Sequence, residues 1–158
     1  MKQKRWLTLA LGLALAAGLQ GQVGAAAPKT DVCAIFKKHA PKDIGLALDK
    51  ALSVTPEFCQ AWSAGNKDTL LLRVSKMSNT ARAVNGTRQG AVNGGNGTVT
   101  DEIGLGSGAW SLRGKQTMEV TFAVKEQLVM VMVSRDGGLG DADVAKARAF
   151  AMAVAGEL

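Results

Sequence analysis

The chain has 158 residues, with 19 Lys and Arg against 13 Asp and Glu, for a net charge of +6. That length bounds the fold to about one domain, and a single histidine with two cysteines gives too few ligands for a Cys/His zinc site. There is no Tyr, and no aromatics are interleaved with the basic residues, which argues against a nucleic-acid partner.

Residues 1–26 read as a cleaved secretory signal. Lys2, Lys4 and Arg5 form a positive start, Leu7 to Leu19 is an apolar run without charge, and small residues close it at Ala25-Ala26-Ala27. The run is short of the roughly 20 residues a membrane span needs, and no cysteine ends it, so no stable membrane or lipid anchor is expected after cleavage at Ala25 or Ala26. Losing those three cations takes the net charge from +6 to +3, which is ordinary. Residues 27–158 are then expected to form one α+β domain, periplasmic or secreted.

Thr30 or Asp31 can cap a short helix in which Val32, Ile35 and Phe36 share one face. Cys33 lies in its first turn and Cys59 is the other cysteine; an even pair in an exported chain reads as a disulfide. Closing a 26-residue loop is worth about 3.5 kcal/mol on the chain-entropy account. Residues 43–54 fit a weak helix or a strand, and both readings stay open. Thr55-Pro56 marks a turn, and Thr69 to Met77 has the two-residue period of a strand. Between Ser78 and Thr98, three Asn-Gly pairs and five glycines predict no long regular element from Asn85 onward, with a helical turn near Thr80 to Val84 at most. Val99 to Ile103 resumes a strand.

The centre of the pattern is Met118 to Val133. Met118, Val120, Phe122 and Val124 alternate with polar or small neighbours, Lys125-Glu126-Gln127 interrupts, and Leu128 to Val133 is apolar on both faces. This predicts a hairpin whose second strand is covered on both sides. Asp141 or Asp143 then caps an alanine-rich helix to Leu158, with Val144, Ala147, Ala151, Val154 and Leu158 along one side and Phe150 beside them. The expected fold is a mostly antiparallel sheet of about four to six strands covered by N- and C-terminal helices, in two or three layers, with one disulfide.

The chemistry-bearing motifs are thin. Gly104-Leu-Gly106-Ser-Gly108-Ala-Trp110 lacks the lysine and the following helix of a phosphate loop, so it is expected to be a turn that folds Trp110 onto the core. Gly106-Ser107-Gly108 is not a nucleophile elbow, and a triad would have to recruit His39 from a lysine-rich helix end. Asp101 and Glu102 point to opposite faces if they lie in a strand. No catalytic, cofactor-binding or metal-ligating residue is expected.

Charge gives the one positive signal. Thr69 to Thr100 holds no acid, while Arg73, Lys76, Arg82 and Arg88 are basic; Lys37, Lys38 and Lys42 form a second cluster. With Trp110, the first four are the candidate partner-binding residues, for a protein or an acidic envelope component. The expected role is binding rather than catalysis, as an inhibitor, immunity or accessory factor. A rival reading has Met118, Met130 and Met132 lining a pocket for a small molecule or lipid; a hydrolase without a recognisable motif ranks third.

Asp31-Val-Cys33, Cys59, Gly104 to Trp110 and Ala142 to Leu158 together make the chain resemble a group of small exported bacterial proteins of unknown function. These share an Asp-x-Cys helix, a second cysteine, a Gly-Leu-Gly-x-x-Ala-aromatic string before a hairpin, and a closing alanine-rich helix. The resemblance implies an α+β sheet with flanking helices and carries over no catalytic residue. Some members of that group are lipoproteins, and this chain lacks their lipid-attachment cysteine.

Overall fold

The structure, a computed structural model, describes residues 30–42 and 45–158. The signal expected over 1–26 and the chain up to residue 29 lie outside the described residues, as do Asp43 and Ile44. In chain order the elements are α1 (Val32–His39), a 3-10 turn (Leu48–Lys50), β1 (Leu52–Thr55), β2 (Phe58–Trp62) and β3 (Thr69–Lys76). They continue with α2 (Thr80–Gly94), β4 (Thr98–Asp101), β5 (Trp110–Arg113), β6 (Thr117–Val124), β7 (Gln127–Ser134) and α3 (Asp141–Glu157).

The expected hairpin sits at the centre of a seven-stranded sheet in the order β1-β2-β3-β7-β6-β5-β4, with every neighbouring pair antiparallel. Val124 faces Gln127 across the turn, where Lys125 takes φ 53. The sheet has one strand more than the upper expectation. Within the open segment, Leu48–Lys50 forms the 3-10 turn and Leu52 begins β1.

Alternation divides the sheet into two faces. Leu70, Val133 and Met118 lie in one row, Leu72, Val131 and Val120 in the next, and Val74, Val129 and Phe122 in a third. All nine belong to the main core, which α1 and α3 close through Val32, Phe36, Val144, Ala147, Phe150, Ala151 and Val154. Phe36 and Phe150 meet edge to face at 5.7 Å and lock the two helices together. Asp31 caps α1, its Oδ1 accepting from Ala34 N–H at 3.0 Å. Gly140 rather than an aspartate is the N-cap of α3, and Asp143 reaches back to accept from Gly140 N–H at 3.1 Å.

The opposite face carries α2, and here the expectation fails. Thr80–Gly94 is one helix of 15 residues, running well past Asn85. Asn79 caps it, accepting from Arg82 N–H at 2.9 Å, and Gly95 ends it in the left-handed region at φ 63. Its inward residues Val84, Thr87, Arg88 and Ala91 follow helical spacing, whereas Gly86 and Gly90 face open space. Topology explains why a helix forms on such a glycine-rich sequence. The chain must cross from β3 at mid-sheet to β4 at the far edge, four strand spacings or about 19 Å, and 15 helical residues span about 22 Å. The molecule is thus three layers, with α2 on one face and α1 and α3 on the other.

Candidate functional site

Where α1, α3 and the sheet diverge at the β6–β7 turn, an open cleft of about 1120 Å³ forms. Its floor is apolar, with Val32 from the first turn of α1, Val74 from β3 and the half-buried Leu158; the half-buried Phe58 lines it from the other face of the sheet, opposite Arg73. Its rim is charged, with Glu57 from the β1–β2 turn, Arg73 and Lys76 from β3, and Lys125 and Glu126 from the β6–β7 turn. Each of the two edges of the rim is internally paired. Lys76 Nζ lies 3.7 Å from Glu126, both well exposed. On the other edge Arg73 Nε–H donates to Ser75 Oγ at 3.1 Å and Ser75 donates to Glu57 at 3.1 Å. Lys125 donates to the Leu158 carbonyl, and Gln127 Nε2 donates to Thr30 Oγ1 at 3.4 Å across the mouth.

The structure separates the residues singled out from the sequence. Arg73 and Lys76 line this cleft. Arg82 lies exposed in the first turn of α2, and Arg88 is drawn inward, its Nη2 donating to Asp101 at 2.9 Å. Trp110 is no surface residue. It is 1% exposed, and its Nε1–H donates to the Val84 carbonyl at 3.3 Å, so it fastens α2 to the sheet. The glycine string is the turn expected: Gly104, Gly106 and Gly108 take φ 89, 98 and 78, while Leu105 and Ala109 point inward with Trp110.

Cys33 and Cys59 are bonded, with Cα atoms 5.1 Å apart, and join α1 to β2. The methionine pocket does not form, because Met118 stands opposite Val133 on the main-core face while Met130 stands opposite Thr121 on the other. Met130 borders a cavity of about 200 Å³ beneath α2, with Arg73, Ser75, Met77, Thr87 and Leu128. His39 is bound 3.0 Å from Glu157 at the C-terminal ends of α1 and α3, and Lys38 also donates to that carboxylate. These hydrogen bonds, that of Lys38 foremost, hold the Glu157 carboxyl below its ordinary value of 4.5. Ser107 is exposed in its loop.

Sequence reasoning missed Glu57, Phe58, Lys125 and Glu126. Lys125 and Glu126 were legible only as a turn, and nothing in a linear reading brings that turn beside Phe58. No protein-family model, curated protein or solved structure matches this chain.

Proposed function

We propose that the chain is an exported binding protein that takes a segment of a partner protein into this cleft, acting as an inhibitor, immunity or accessory factor. One observation carries the reading: an apolar floor enclosed by a rim of both charge signs, in an opening of about 1120 Å³. Small-molecule pockets run to roughly 300–1,000 Å³ and bury most of their ligand. An open site with an apolar centre and a polar rim has the anatomy of a protein interface instead. The basic residues Arg73 and Lys76 enter as part of that rim, beside Lys125.

The test places a photo-crosslinking amino acid at Phe58 in the cleft and, separately, at Gln89 on the outer face of α2. A protein captured in stoichiometric amount from Phe58, and lost at least tenfold in Lys76→Glu/Lys125→Glu, supports the reading. Both lysines are exposed, so this variant leaves the core intact. Capture from Gln89 alone would move the interface to α2, and a retained small ligand in native mass spectrometry would replace the partner with a metabolite.

A further inference from the structure

The disulfide joins the residues next in chain to two that line the cleft. Cys33 directly follows the floor residue Val32, and Cys59 directly follows Phe58. Val32 opens α1 and Phe58 opens β2, so the bridge ties the helical wall of the cleft to its strand wall. The other walls are held differently. Arg73 to Lys76 is laddered to Gln127 to Met130, which fixes β3 against the β6–β7 hairpin by backbone hydrogen bonds. Helix α1 has no ladder. Phe36 packs on Phe150 at its middle, and Lys38 and His39 hold Glu157 at its far end. At the cleft end Val32 packs into the core, and among the described residues the polar link there to the hairpin is the long 3.4 Å hydrogen bond between Gln127 and Thr30, just ahead of α1. The first turn of α1 therefore depends on the cross-link more than any other part of the cleft does.

Resting on the binding role above, we infer that Cys33 and Cys59 are positioning residues of the cleft, so that the oxidised chain binds its partner and the reduced chain does not, while the sheet persists in both. The chemistry is ordinary thiol–disulfide exchange with a dithiol. Cys33 is half-buried and Cys59 fully buried, so the incoming thiolate attacks the Cys33 sulfur and expels the Cys59 thiolate. The second thiolate of the reductant then displaces Cys33 from the mixed disulfide. Two electrons and two protons pass to the protein, leaving two thiols and an oxidised reductant. A chain still reduced before export would meet potential partners with its cleft unassembled, and oxidation would complete the site.

Hydrogen exchange and partner capture are compared on the oxidised chain, the chain reduced with dithiothreitol and blocked with iodoacetamide, and Cys33→Ala/Cys59→Ala. The expected result is exchange at least tenfold faster over residues 32–36, unchanged protection over the laddered residues 58–62 and 118–133, and capture reduced at least tenfold. Reoxidation of an unblocked reduced sample restores both. Full capture by the reduced chain overturns the inference. Loss of protection over the whole sheet at once also overturns it, since the bridge would then be a general brace. If the oxidised chain captures nothing through Phe58, the binding role fails, and the exchange pattern still decides whether the bridge positions these walls.

Discussion

Asp101 and Glu102 are neighbours in the chain, yet their carboxylates are bound by helices on opposite faces of the sheet. Asp101 meets Arg88 of α2 at 2.9 Å, and Glu102 meets Arg148 of α3 at 2.8 Å. The end of β4 is thus pinned from above and below, a direct consequence of strand alternation. The two pairs differ in environment. The Asp101 side chain is 79% exposed, whereas that of Glu102 is 8% exposed and also accepts from Ser111 Oγ at 2.5 Å. Glu102→Gln is expected to lower unfolding free energy by about 2–3 kcal/mol, below the 3–5 typical of fully buried pairs because Arg148 is half in solvent. Asp101→Asn is expected to cost about 0.5 kcal/mol. Urea denaturation of the two variants side by side checks the contrast.

Alternation of this kind was legible in advance because its period is short and its residues carry it. Met118 to Val133 gave the hairpin, its covered strand and the face assignments; Val144 to Val154 gave the packed side of α3. Helix α2 was not legible, because intrinsic propensity at Gly86, Gly90 and Gly94 points away from a helix. The caps Asn79 and Gly95 and the spacing of Val84, Thr87, Arg88 and Ala91 were the signals that outweigh it. Of the candidate site, the acid-free run gave Arg73 and Lys76. The rest was hidden because the cleft assembles five separated stretches of chain.

The same glycines give a second prediction. A Cβ at Gly86 or Gly90 meets nothing within 4 Å, and neither residue has a positive φ. Gly86→Ala and Gly90→Ala should each stabilise the protein by about 0.5–1 kcal/mol by restricting the unfolded chain. Gly97 behaves oppositely, since a Cβ there would lie 2.4 Å from the Arg113 carbonyl oxygen. Gly97→Ala should cost about 1–3 kcal/mol through a forced shift of β4 against β5. Thermal melts of the three variants give the signs directly.

Trp110 tests how α2 is held. Trp110→Phe keeps an aromatic ring in the core and deletes the hydrogen bond to Val84, leaving a carbonyl that still accepts from Thr87 Oγ1 at 2.9 Å. The expected loss is about 1–2 kcal/mol. Because α2 rests on this contact, amide exchange over 80–94 should accelerate more than exchange over 118–133. Equal acceleration in both would assign Trp110 to the stability of the whole fold instead.

The pH dependence of the latch between α1 and α3 follows from Glu157. Its carboxyl is held below 4.5 by the hydrogen bonds from Lys38 and then His39, so the ionised form is favoured in the folded chain. A group whose folded value is depressed adds stability above its unfolded value and loses it as pH falls through the folded one. The difference in urea midpoint between the natural chain and Glu157→Gln should therefore be present at pH 6 and shrink as the pH drops below about 4.5. Carbon-detected NMR titration of Glu157 should give a midpoint under 4.5 that returns toward it in Lys38→Met. A midpoint unmoved by that substitution would shift the cause from Lys38 to His39.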